Sequence, residues 1–214
     1  MRGHPKSERF FTAEEKERLK AATQDVESRT IGQIVVMVVD HSDHYIEAEV
    51  LGSVLLGSLL SLILSVLFFD SSIWFYIPLS FLFFFPFWFL FIKVEALKRL
   101  FIGTRRKEEA VGLRAERAFF ERGLCRTKKN TGVLFFLSLL ERKVWVLADR
   151  GIHEKMDQGT LNRFANEVSK GVREGRACDA LSQAIEEIGV PLAKHFPITS
   201  DDTDELPDDV MTEE

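Results

Sequence analysis

Between residues 40 and 44 the chain reads Asp40-His41-Ser42-Asp43-His44. Two carboxylates and two imidazoles within five residues are donors suited to a divalent cation such as Ca2+ or Mg2+. The cluster follows an apolar run, and the end of such a strand is where α/β folds often present ligands. The competing reading is a polar connection that caps an incoming helix. A second candidate is Asp149, directly after another apolar run, with His153 and Glu154 close behind. A carboxylate there could bind metal or position water for phosphoester hydrolysis; equally, an Asp two residues before Gly151 forms turns or ion pairs. Asp40, Asp149 and His41 or His44 are thus the weak catalytic and metal candidates, with Asp43 completing the possible ligand set.

Other chemistries find no support. Cys125 and Cys178 show no CxxC or Cys/His spacing, so neither zinc nor a redox motif is indicated. Neither cysteine has an arginine six residues on, which excludes the usual cysteine-phosphatase loop, and no glycine-rich phosphate loop occurs. Asp202-Thr203-Asp204 has the look of an aspartyl-phosphate motif but lacks a preceding apolar strand. Two free thiols suit a reducing compartment, and the polar residues 1–30 contain no export-signal core.

The elements that must position these groups include two segments unlike the rest. Val50–Phe69 and Ile73–Ile92 are each 20 residues without a formal charge. Each makes a helix of roughly 30 Å, the thickness of a bilayer's hydrocarbon core. The sequence therefore predicts a membrane protein with a two-helix hairpin joined by Asp70-Ser71-Ser72, and excludes a purely soluble enzyme. Lys93, Lys98, Arg99, Arg105, Arg106 and Lys107 follow the second span, while the linker has no base. By the positive-inside rule this basic, lipid-facing flank stays cytoplasmic, and an even number of spans keeps both termini there, in an inner (cytoplasmic) membrane. Trp74 and Tyr76 then fall at the outer interface. Ser53, Gly57, Ser61 and Ser65, four apart, predict a close helix–helix contact, with the second span as first-choice partner. Without a charged residue in either span, transport is not expected.

The polar portions read as a mixed α/β layer structure. Thr12 and Glu15 have the form of a capping box ahead of a helix to about Arg29. Ile34–Val39 is a β-branched run expected of a strand covered on both faces. Val94, Leu97 and Phe101 mark either an interfacial helix or the end of the second span. A helix is predicted over Glu108–Glu121, strands over Val133–Leu140 and Lys143–Ala148 turning at Glu141-Arg142, and two closing helices, the last disturbed near Gly189 and Pro191. One strand cannot make a sheet, so the first helix and strand are expected to join the later portion in one fold, the hairpin inserted between them. The net charge of −5 conceals eight acids and no base in Pro197–Glu214, leaving +3 elsewhere; that tail reads as disordered. Arg126, Lys128 and Lys129 form a basic loop, and the mild charge elsewhere gives no support for nucleic-acid binding.

Several short stretches together resemble the TPM domain family. Thr30-Ile31-Gly32-Gln33-Ile34-Val35-Val36 after a helix opened by Phe11-Thr12 is similar to its start, and Asn130-Thr131-Gly132-Val133-Leu134 to the opening of its central strand. Glu141-Arg142-Lys143-Val144 resembles the next turn, and Ala148-Asp149-Arg150-Gly151-Ile152 stands where the family has a Gly-x-Gly-Leu loop. The resemblance spans roughly Phe10–Asp40 and Glu108–Phe196. It implies an α/β/α sandwich and membrane-linked roles; plant thylakoid members have been assigned acid phosphatase activity and parts in photosystem maintenance, some members bind calcium at acidic loops, and most bacterial members have no established function. Two features depart from the pattern: the hairpin interrupts the domain, and Lys129 replaces the acid that commonly precedes the Asn-Gly step.

The sequence thus divides into 1–49, the first helix and strand; 50–92, the hairpin; 93–196, the rest of the domain; and 197–214, the tail. Two functions follow. One is a membrane-anchored interaction or assembly module on the cytoplasmic face, whose partners are the bilayer and another membrane protein or complex. The alternative is a divalent-metal-dependent, acid-phosphatase-like phosphohydrolase.

Overall fold

The structure is a computed structural model and describes residues 5–69, 72–127, 129–198 and 209–213. In chain order the elements are α1 (Ala13–Glu27), β1 (Gln33–Val39), α2 (Ile46–Phe68), α3 (Ile73–Lys93), α4 (Glu95–Phe101) and α5 (Thr104–Glu121). They continue with β2 (Gly132–Ser138), β3 (Lys143–Ala148), α6 (Arg150–His153), α7 (Gln158–Arg173), α8 (Ala177–His195) and β4 (Met211–Glu213). Two compact units result: the residues up to Ser42 join those from Glu108 onward, and Asp43–Lys107 form the second.

In the α/β unit the sheet order is β3-β2-β1-β4. β1 runs parallel to β2 over seven residues, Gln33 beside Gly132 to Val39 beside Ser138, whereas β3 is antiparallel to β2. Side chains alternate between the two faces of a strand, and here both faces are covered. Ile34, Val36, Val38, Phe135 and Leu137 pack against Leu19 and Val26 of α1, Phe164 of α7 and Ile185 of α8. Val35, Met37, Val39, Leu134 and Phe136 meet Val111, Ala115, Ala118 and Phe119 of α5. This is an α/β/α sandwich, and its two-sided core is why β1 and β2 are apolar at nearly every position. β3, an edge strand, alternates buried and half-buried residues instead.

The capping box forms as the sequence predicts: Thr12 Oγ1 accepts from the Glu15 N–H at 3.2 Å, and Glu15 Oε2 from the Thr12 N–H at 2.8 Å. The turn at Glu141-Arg142 has neither glycine nor asparagine, and Arg142 itself takes the left-handed conformation, φ 53°. α8 runs unbroken through Gly189 and Pro191, against the expectation of a disturbance there. Gly189 is instead a close-approach site, since a Cβ would lie 2.7 Å from Val26 of α1. The expectation of a disordered tail is corrected at its end: Met211–Glu213 form β4, parallel to β1. Asp70 and Ser71 of the expected linker, Lys128 of the basic loop and residues 199–208 of the tail lie outside the described residues.

The second unit is built on α2 and α3, helices long and apolar enough to cross a membrane. Ser53, Gly57, Ser61 and Ser65 are the buried stripe of α2, and a Cβ on Gly57 would come within 3.3 Å of the Phe83 and Phe84 backbone of α3. Ser61 Oγ donates to Gly57 O at 2.7 Å and Ser53 Oγ to Glu49 O at 2.5 Å, so these hydroxyls are satisfied within their own helix. Elsewhere both helices face outward: only 28% of the most apolar stretch of α2 and 6% of that of α3 is buried. The chain bends at Val94 into α4, a separate helix, where Lys98 pairs with Glu49 at 2.5 Å and Phe101 packs edge-on against Phe91. Arg106 pairs with Asp43 at 2.5 Å and Glu47 at 3.0 Å and covers the buried Tyr45 ring. These ion pairs all lie within the unit Asp43–Lys107.

Candidate interaction surface

The acids singled out for metal chemistry are engaged in holding backbone. Asp40, at the end of β1, accepts from the N–H groups of Lys6 at 3.0 Å and Ser7 at 2.5 Å, where the 3-10 turn Ser7–Arg9 begins. Asp43 accepts from the His44 N–H at 2.7 Å as well as from Arg106. Asp149 opens α6 by accepting from the Arg150 N–H at 2.7 Å, while its Oδ2 is buried without a hydrogen bond among the described residues. His41 is half-buried and His44 exposed; Glu154 lies 3.6 Å from Arg150.

The antiparallel course of β3 separates the two principal candidates. Ala148 faces Val133, whereas Val39 faces Ser138, so Asp149 and Asp40 stand at opposite ends of the sheet. At a rise of ~3.3 Å per residue they are about 20 Å apart, beyond a shared metal ion or water. A single site made from Asp40 and Asp149 is therefore corrected. Among the described residues, no three His, Cys, Asp or Glu side chains are gathered as metal ligands.

What lies beside Asp40 is a buried polar knot that the sequence did not reveal. Ser138 Oγ donates to Glu141, the Ser42 N–H donates to Glu141 Oε1 at 3.0 Å, and the Ser42 and Ser138 hydroxyls meet at 2.8 Å. Glu141 is 5% exposed. The knot ties the end of β1 to the β2–β3 turn and leaves none of these four groups aimed at solvent chemistry.

The most elaborate polar arrangement is on the β1 edge. Met211, Thr212 and Glu213 pair with Met37, Val38 and Val39. The Glu213 carbonyl accepts from the Ser7 hydroxyl at 2.9 Å and the Asp40 N–H at 3.2 Å. Its carboxylate is gripped by Arg114 of α5 and by Arg122 just beyond it. Four donors converge on one residue. Further along the tail, Asp209 pairs with Lys20 of α1 at 2.9 Å. Sequence reasoning missed this because three residues carry no periodicity; the available signal was the Met-Thr-Glu alternation ending an otherwise polar stretch.

Comparison with known proteins supplies the family. Residues 94–190 match the family model described as the TPM domain. Over that stretch the chain is similar to the TPM domain. The matched stretch holds β2, β3 and α7, whereas β1, which pairs with β2, precedes the two apolar helices; the sheet is thus assembled from chain on both sides of them. A solved structure, the BA42 protein from the psychrophilic bacterium Bizionia argentinensis, superposes with a TM-score of 0.59 at 21% identity, covering 95% of this chain and 96% of that one. It supports the fold. No curated protein matches the chain.

At the other edge of the sheet, no strand pairs with β3 among the described residues. Beside β3 lies a groove of about 410 Å³ lined by Trp145, Asn162, Asn166, Ser169 and Arg173, with Lys143 and Glu108 at its rim. Lys143 bonds Glu108 at 2.8 Å, and that bond holds the Glu108 carboxyl below its usual range.

Proposed function

We propose that this chain is a membrane-anchored TPM-domain interaction or assembly module, with its α/β unit on the cytoplasmic face and another membrane protein or complex as partner. The observation that carries the reading is the outward apolar surface of α2 and α3: Leu51, Leu55, Leu62, Trp74, Phe81 and Phe89 are all exposed. A patch so large is unfavourable in water and favourable in lipid. Lys93, Lys98, Arg99, Arg105, Arg106 and Lys107 follow α3 and set the cytoplasmic side. An enzymatic reading that joins Asp40 to Asp149 lacks the geometry for it, whereas the α/β unit offers one strand edge already holding an extended segment and another lying open.

The test is a reporter fused after Glu214. Green fluorescence with an inactive alkaline phosphatase is expected; an active phosphatase fusion overturns the cytoplasmic placement. Detergent-purified protein should leave phosphomonoesters intact with Mg2+ or Ca2+. Metal-dependent turnover that vanishes in Asp149→Asn would replace the module reading with the hydrolase.

A further inference from the structure

The β1 edge displays, within one molecule, the recognition of an extended segment bearing a glutamate. Strand addition supplies affinity through main-chain bonds, and side-chain pockets supply selectivity. Here the main-chain partner is Met37–Val39 and the selective contact is the carboxylate between Arg114 and Arg122, paired guanidinium–carboxylate bonds being stronger than neutral ones. The clamp is itself braced: Nη1 of Arg114, buried and without a hydrogen bond among the described residues, is ion-paired with Glu121 at 3.5 Å, which leaves Nη2 for the Glu213 carboxylate. The resident strand is only three residues long, against seven in β1, so few ladder bonds hold it. Each contributes a net ~1 kcal/mol.

We propose that this edge is a peptide-binding site for an extended, glutamate-bearing segment of a partner protein, and that Met211–Glu213 is its occupant in cis, displaced when the partner docks. The inference rests on the interaction-module reading and names the chemistry of the partner. Tethering gives the resident segment an effective concentration of order mM, so a partner competes only with a longer strand than the three residues of β4. The open β3 edge is the rival location, and the same experiment separates the two.

The probe is an acetylated, amidated, fluorescent peptide of sequence Asp-Val-Met-Thr-Glu, titrated against the detergent-purified full chain and read by anisotropy. Glu213→Ala releases the cis occupant, and this variant should bind the peptide at least tenfold more tightly than the unaltered chain. Replacing the peptide's glutamate by glutamine should weaken binding to that variant at least tenfold, a readout that leaves the protein untouched. Adding Arg114→Ala and Arg122→Ala should abolish binding without lowering the melting temperature below that of Glu213→Ala by more than a few degrees. Equal affinity for the unaltered chain and Glu213→Ala, indifference to the peptide's glutamate, or binding that survives loss of both arginines would overturn the proposal, the last placing the peptide at β3. These outcomes leave the reporter and hydrolysis results unchanged, so failure of this site is distinguishable from failure of the module reading.

Discussion

Several carboxylates among the described residues are structural fasteners, and Asp157 shows how such a role is tested. It is the N-cap of α7, its Oδ1 accepting from the Thr160 N–H at 2.6 Å. That bond holds its carboxyl below the usual range. A depressed folded pKa contributes stability that is present above the unfolded value, about 3.9, and is lost as pH falls through the folded one. Asp157→Asn keeps a capping oxygen but does not titrate. Its melting temperature is expected to match the unaltered chain near pH 7 and to fall less steeply below pH ~4; parallel melting curves across that window would refute the assignment. At this scale the sequence was legible where a motif is local, as with Thr12 and Glu15, three residues apart. It was illegible for Glu141 and Glu213, whose partners lie up to about a hundred residues away along the chain or beyond. Asp40 and Asp149 were legible as strand-end acids, but only the direction of β3 decides which end.

Among the elements, strong periodicity located the three long strands and the major helices, and the elements that escaped are the short ones. α6 spans four residues and β4 three, too few to show a period; α6 rests on its local cap Asp149, whereas β4 exists because β1, distant in the chain, pairs with it. Glycine was misread where its role is tertiary. Gly189 suggested a break in α8, yet it is the point at which α8 receives Val26 of α1. An alanine there places a methyl 2.7 Å from the valine Cγ atoms. Overpacking costs ~1–3 kcal/mol, offset by the ~1 kcal/mol that alanine gains over glycine in a helix. Gly189→Ala should therefore lower stability by a net ~1 kcal/mol, some 2–4 °C in melting temperature for a chain of this size. Combined with Val26→Ala, the effect of Gly189→Ala should vanish or reverse. Additive losses in the double variant would show that the two helices do not meet there. The Ser53-Gly57-Ser61-Ser65 stripe, by contrast, was read correctly because a four-residue spacing is itself a helical face.

For the whole molecule, the sheet constrains how the apolar helices can be used. β1 precedes α2 and α3, β2 follows them, and the two strands share a seven-residue ladder. A folded sheet cannot have adjacent strands on opposite sides of a bilayer, so on the membrane reading any crossings between Val39 and Gly132 are even in number. Two spans satisfy that parity; one would not. The parity was legible from the two 20-residue runs, but its necessity appears only with the β1–β2 register. On the proposed reading, charge chooses the side. Lys98 and Arg106 are tied to Glu49, Asp43 and Glu47, so they should be retained when the flank is weakened. Replacing Lys93, Arg99, Arg105 and Lys107 by glutamine, with Ser71→Lys and Ser72→Lys in the linker, reverses the bias. Part of the population should then insert inverted, with reporters at the two ends changing side together in every fraction. A fraction with one end exported and the other retained, yet still protease-resistant over β1 and β2, would contradict the pairing of those strands across the insertion.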